Sequence, residues 1–163
     1  MNDAQEIERK FLVPALPDLS GAVRSDLRQG YVTLPEDSVE VRLRQSDRDF
    51  FCAVKSGGNV VRTERETALT AEQFDRLWPA TEGRRIEKTR WTGRLDDRLF
   101  FELDVYGGAL APLLTVEVEF ASEREAAAFV PPGWFGPEVS SDKRFRNRSL
   151  ALSGAALVRD LFR

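Results

Sequence analysis

A chain of 163 residues with 42% hydrophobic content suits one compact domain, read here as residues 1–163. Its 24 basic and 27 acidic side chains nearly cancel to a net charge of −3, which argues against a global positive field for nucleic acid or an anionic membrane. No apolar run reaches the roughly 20 residues needed to span a bilayer, and Met1–Lys10 is too polar for a secretory signal, so a soluble cytoplasmic protein is expected. Histidine is absent, which removes Ser-His and Cys-His nucleophile pairs and the usual zinc sets. The single Cys52 lies in the apolar stretch Phe50–Val54 and reads as a packed thiol. The remaining inventory is carboxylate, ammonium, guanidinium and phenol. It suits hard, oxygen-loving cations and phosphoryl groups.

The dominant pattern along the chain is alternation with period two, in short segments separated by turn residues. Strands are predicted at about 4–13, 29–34, 38–46, 49–56, 60–68, 84–95, 98–106 and 113–121. Tight turns are predicted at Ser56-Gly57-Gly58-Asn59, Asp96-Asp97 and Gly107-Gly108. Helices are predicted from Thr70 to Trp78, from Ser122 to Val130 and from Ala151 to Phe162; the first two open with capping boxes, Thr70/Gln73 and Ser122/Glu125. All three read as packing elements. The fold class expected is α+β: an eight-stranded antiparallel sheet closed into a barrel, with a few flanking helices.

Residues two apart on a strand share a face. By that rule Glu6, Glu8 and Lys10 align in the first segment and Arg42 with Arg44 in the third, while Lys55 comes from the fourth. Arg62, Glu64 and Glu66 align in the fifth, Lys88 with Arg90 in the sixth, Glu102 with Asp104 in the seventh and Glu117 with Glu119 in the eighth. Apolar residues take the opposite faces. An ordinary sheet with one face in water also shows such sorting. The difference lies in the segregation of sign: the third and sixth segments are basic and the seventh and eighth acidic, so like charges two apart repel without gain unless something sits between them. Closure of eight strands would turn this face inward around a small ligand. Such a lumen must be wet or filled with counter-ions, because unpaired buried ions are costly. A polyanion with one or two divalent cations would satisfy both sets. No GxxxxGK[ST] loop is present, so phosphate would be held by side chains.

Glu6-Ile7-Glu8-Arg9-Lys10-Phe11-Leu12 resembles the N-terminal ExExK signature of the CYTH, or triphosphate tunnel metalloenzyme, superfamily. The resemblance continues in order through Arg42/Arg44, Lys55, Arg62 with Glu64/Glu66, Lys88/Arg90, Glu102/Asp104 and Glu117/Glu119 to Asp142–Ala151, and spans about residues 4–152. It implies an antiparallel tunnel, action on triphosphate compounds, dependence on Mg²⁺ or Mn²⁺, and a homodimer. The short length and Gln29-Gly30-Tyr31 look most like small bacterial members that hydrolyse inorganic tripolyphosphate, in which a tyrosine at this place is implicated as a proton acceptor. The expected sites follow. Lys10, Arg42, Arg44, Lys55, Arg62, Lys88, Arg90 and Lys143 bind phosphate. Glu6, Glu8, Glu64, Glu66, Glu102, Asp104, Glu117 and Glu119 hold metal, and Tyr31, Lys10, Glu64 and Glu66 act in catalysis. Two departures stand out: Pro112-Leu113-Leu114 replaces a Gly-Leu pair common in relatives, and Arg144, Arg146 and Arg148 make the C-terminal segment unusually basic. Hydrolysis of thiamine triphosphate or nucleoside triphosphates, adenylate cyclisation of the class IV type, and a non-catalytic polyphosphate- or nucleotide-binding module remain as alternatives.

Overall fold

The computed structural model describes residues 7–57 and 62–163, with Gly57 and Arg62 described by backbone alone. Glu6, and residues 58–59 of the expected turn, lie outside the described residues. The eight strands are β1 (Ile7–Leu12), β2 (Val23–Tyr31), β3 (Val39–Ser46), β4 (Asp49–Gly57), β5 (Arg62–Leu69), β6 (Arg85–Arg94), β7 (Phe100–Tyr106) and β8 (Leu114–Phe120). They make one antiparallel sheet in the order β1-β8-β7-β6-β2-β3-β4-β5. The second strand starts six residues earlier than its expected position at 29. Its first half, Val23–Arg28, is too polar to show alternation, yet it is paired with β6 throughout from Val23 to Gly30. Backbone pairing, not burial, makes it a strand.

The expected closed barrel is corrected in one respect: among the described residues the sheet is not closed by hydrogen bonds between β1 and β5. The reason is local. The edge of β1 away from β8 is taken by the segment that follows the second helix: Leu12 N–H donates to Pro137 O at 2.9 Å, Val139 N–H donates to Lys10 O at 2.8 Å, and Phe11 bridges Glu138. A strand whose two edges are occupied cannot pair again.

Helices cover the outer face in two places. The helix α1 (Ala71–Leu77) is opened by the complete Thr70/Gln73 capping box. It drives Phe74, fully buried, against Phe50 and Trp78 at ring distances of 5.0 and 5.1 Å. Burying such a side chain contributes about 1.5–3 kcal/mol. The short α2 (Glu123–Ala128), capped by Ser122, lies on β1 and β8 over a cluster of Phe11, Phe101, Leu103, Val116, Val118 and Phe120. Arg9 ties the end of that helix down by donating to Ala126 O and Phe129 O.

The third helix, α3 (Asn147–Leu161), begins four residues before the expected Ala151 and does something different. It packs on the inner face at one end of the sheet, where Leu150, Ala151 and Val158, with Phe145 just ahead of the helix, join Tyr31, Ile86 and Tyr106. The helix stoppers that end. Its fit depends on Gly154, where an added Cβ would lie 2.5 Å from Leu110 Cδ2. No helix among the described residues is long and apolar enough to cross a membrane.

Candidate active site

Register alone decides which side chains meet. Glu117 stands opposite both Lys10 and Glu102, Asp104 opposite Arg90, Tyr31 opposite Arg42, Ala53 opposite Arg42 and Glu66, and Lys55 opposite Glu64. Following these pairs strand by strand puts Glu8, Lys10, Tyr31, Arg42, Arg44, Lys55, Glu64, Glu66, Lys88, Arg90, Glu102, Asp104, Glu117 and Glu119 on one face, the inner one. Glu6 and the side chain of Arg62 lie outside the described residues, though the Arg62 backbone stands opposite Gly57 in β5. Lys143 is exposed, on a 3-10 turn (Lys143–Phe145) whose last carbonyl receives Lys10 Nζ at 3.0 Å.

Depth along the strands sorts these residues. At the stoppered end the lining is apolar. Next comes a buried cluster in which Asp104, 1% exposed in its side chain, accepts from Lys88 Nζ at 2.6 Å, from Arg90 Nε at 2.7 Å and from Arg90 Nη2 at 2.8 Å. Burial pushes the Asp104 carboxyl up, but the charges and hydrogen bonds of Lys88 and Arg90 outweigh it and hold the group at about 2. Burial lowers the Lys88 ammonium despite Asp104, whereas for Arg90 the bonds to Asp104 overcome burial and raise the guanidinium. One layer out, Lys10 Nζ meets Glu117 Oε1 at 2.7 Å and Arg90 Nη1 meets Glu102 Oε2 at 2.7 Å. At the rim, Glu8, Glu102, Glu117 and Glu119 line a cavity of about 330 Å³ together with Thr92 and Phe100.

The facing wall is built differently. Arg42 lies 3.7 Å from Glu64 and 3.6 Å from Glu66, Arg44 lies 3.4 Å from Glu66, and Lys55 lies 3.8 Å from Glu64. The Nε atoms of Arg42 and Arg44 are buried and have no hydrogen-bond partner. Unmet buried donors are rare because each costs roughly 1–3 kcal/mol. Two of them side by side on a lumen wall mark a place for an acceptor to arrive.

Tyr31 sits in the floor, 3% exposed, its hydroxyl receiving Gln29 Nε2 at 3.2 Å. Burial pushes its phenol up to about 12, against the lowering effect of Arg42. Sequence reasoning assigned neither Glu40 nor Arg148 to the site, although they reach each other at 3.2 Å across the floor. Glu40 was within reach of the period-two rule, being two residues before Arg42. Nothing in sequence spacing pairs it with Arg148.

Carboxylate oxygens are the donors that Mg²⁺ and Mn²⁺ prefer. Among the described residues no three carboxylates converge closely enough to ligate one ion. The rim carries the donor chemistry for a cation: Glu8 stands directly opposite Glu119 and Glu102 directly opposite Glu117, two facing carboxylate pairs of which Glu117 and Glu102 are in part balanced by Lys10 and Arg90. Burial also raises the Glu102 carboxyl, although Arg90 draws it down. A divalent ion would relieve both.

A single antiparallel sheet that turns inward a face bearing opposed walls of acidic and basic side chains defines the triphosphate tunnel metalloenzyme, or CYTH, class. No family model matches the chain. It is 56% identical over 149 residues to an inorganic triphosphatase of Nitrosomonas europaea, covering 91% of this chain and 97% of that one. It is 31% identical over 148 residues to an inorganic triphosphatase of Acetivibrio thermocellus, covering 90% and 92%. A crystal structure of an inorganic triphosphatase superposes with a TM-score of 0.78 at 53% identity, over 94% of this chain and 98% of that one. The chain belongs to the inorganic triphosphatase family of this superfamily. A putative adenylyl cyclase from Hippeastrum with dominant triphosphatase activity matches at TM-score 0.56 and 14% identity over 76% of this chain and 83% of that one, a likeness of fold alone.

Proposed function

We propose that this protein is a cytoplasmic, divalent-metal-dependent hydrolase that splits inorganic triphosphate into pyrophosphate and phosphate within the cup. The observation that carries the reading is the pair of buried, unpartnered guanidinium Nε donors of Arg42 and Arg44 facing the Lys88–Arg90 wall, in a chain 56% identical to an inorganic triphosphatase.

A tripolyphosphate spreads negative charge over three phosphoryl groups, so donors spaced along facing strands can hold it in register. Arg42, Arg44 and Lys55 supply donors from one wall, and Lys10, Lys88 and Arg90 from the other. Arg62 and Lys143 are proposed for the outer phosphoryl group. Glu8, Glu117, Glu119 and Glu102, with Glu6 and with Glu64 and Glu66 on the opposite wall, would hold Mg²⁺ or Mn²⁺. When bound, the ion neutralises charge on the phosphoryl oxygens and makes water a better nucleophile. Rigid strands hold the attacking water and the scissile phosphoryl group in line.

Lys10 bridges Glu117 and the Phe145 carbonyl, which fixes its ammonium at the boundary between the acidic rim and the basic floor. Tyr31 is the proton-handling candidate. With its phenol near 12 it begins protonated, and it becomes a proton acceptor only as added positive charge brings it down, the direction in which Arg42 and Arg148 already act. A homodimer is the proposed assembly.

A phosphate-release panel tests the reading: tripolyphosphate, pyrophosphate, ATP and thiamine triphosphate, each with Mg²⁺, Mn²⁺ or chelator. Metal-dependent release from tripolyphosphate above all others is expected, and chelator should abolish it. Preferential release from ATP or thiamine triphosphate, or turnover indifferent to chelator, would overturn it.

A further inference from the structure

The inner-face carboxylates fall into two kinds. Glu8, Glu102, Glu117 and Glu119 line open space, whereas Asp104 does not. Its two oxygens accept three hydrogen bonds, all from Lys88 and Arg90, at 2.6–2.8 Å. Thr115, fully buried, stands directly opposite it, and the Lys88 ammonium lies 5.6 Å from the centre of the Tyr106 ring. A metal-binding carboxylate must aim an oxygen at the ion and leave room for the ion's other oxygens. Asp104 is sealed in.

We propose that Asp104 is a positioning residue for the phosphate-binding Arg90 and not a metal ligand. It grips Arg90 through Nε and Nη2, the fork that a carboxylate recognises in two places. That leaves Arg90 Nη1 directed toward Glu102 and the rim, and it plants the Lys88 ammonium behind it. Long cationic side chains lose rotamer freedom when held. Here that cost is met on folding, before any ligand arrives, so the Arg90 guanidinium is already in place when phosphate enters, with Lys88, as enclosed as Asp104, behind it. The inference rests on the reading of Arg90 as a phosphate donor.

The test is Asp104→Asn, which keeps the shape but replaces one acceptor by a donor that opposes the two cations. Two steady-state constants are read: KM for tripolyphosphate at saturating Mg²⁺, and the Mg²⁺ concentration giving half activity. A positioning role predicts a KM raised about 10- to 100-fold, the scale set by misplacement of a binding group, with the half-saturating Mg²⁺ unchanged. Arg90→Lys, which keeps the charge but loses the fork, should raise KM in the same way. Combining the two substitutions should add little to Arg90→Lys alone, because they break one unit.

A half-saturating Mg²⁺ raised tenfold with KM retained would overturn the inference in favour of a metal ligand, and so would two constants that both stay put. Should Asp104→Asn fail to fold, judged by circular dichroism, Arg90→Lys decides alone: a wild-type KM sinks the inference. A wild-type protein inactive on tripolyphosphate would instead overturn the site reading beneath it.

Discussion

The two walls of the cup use the same residue types in opposite ways. On β6, β7, β8 and β1, acid and base meet at 2.6–2.7 Å, and Asp104, Lys88, Lys10 and Glu117 are nearly buried. Among Arg42, Arg44, Lys55, Glu64 and Glu66 of β3, β4 and β5, the closest approach is 3.4 Å, the two carboxylates are a third or more exposed, and two guanidinium donors go unmet. Close, dry pairs are made by folding and belong to stability as much as to binding. Long, wet pairs are worth little to the fold and are ready to exchange a partner for a ligand.

That contrast is open to direct attack. The largest effect is expected from Arg42→Ala, which should lower kcat/KM for tripolyphosphate by about 10²- to 10³-fold, the usual cost of one donor to a reacting anion. Its unfolding free energy in urea should stay within about 1 kcal/mol of wild type, because the pairs it breaks are long and partly wet. A large loss of stability would erase the distinction between the walls.

Acid should dismantle the close-paired wall first. The Asp104 carboxyl is held at about 2 against an ordinary 3.8. A folded value below the unfolded one gives stability that is present above about pH 4 and is lost as pH falls toward 2. At about 1.4 kcal/mol per unit, the group contributes about 2 kcal/mol. Urea unfolding between pH 5 and 2 should show this loss in wild type and a flatter profile in Asp104→Asn.

Glu117→Gln should come next. It leaves the Lys10 ammonium without its counter-charge, at a cost of about 1–2 kcal/mol. The equivalent change on the other wall, Glu66→Gln, should barely move the urea midpoint. The smallest effect goes the other way: Glu102→Gln in chelator at neutral pH should stabilise by roughly a few tenths of a kcal/mol, since burial of the carboxylate and the facing Glu117 outweigh the ion pair with Arg90 that it loses. The raised Glu102 carboxyl has the matching sign. A folded value above the unfolded one penalises the ionised form, and the substitution removes that penalty.

The lining of the site was legible because a strand's period of two is rigid. Once Arg42 and Arg44 or Glu117 and Glu119 are assigned to strands, their shared face follows, and the observed registers join those faces into one. Three things had no such signal. The segment around Pro137–Val139 claims the edge of β1 through backbone bonds to which its side chains give no clue. Val23–Arg28 is a strand held by pairing with β6 and, at Leu27 and Arg28, with β3. The third missed feature was α3: its amphipathic pattern announced a packed helix but could not say that it would pack inside, on Tyr31 and Tyr106, and so its Arg148 was not connected with Glu40. For Asp104, spacing gave the face but not the depth. Two carboxylates on one strand, Glu102 and Asp104, end with unlike surroundings because Lys88 and Arg90 close over Asp104 while Glu102 borders open space.

The close seating of α3 at Gly154 turns a missing methyl into a depth gauge. The helix comes down onto Leu110 only because position 154 carries no side chain. Any residue larger than glycine has to turn the end of the Leu110 side chain aside or lift the helix from its packing on Tyr31 and Tyr106. A single carbon's absence thus sets how closely this helix caps the inner face of the sheet.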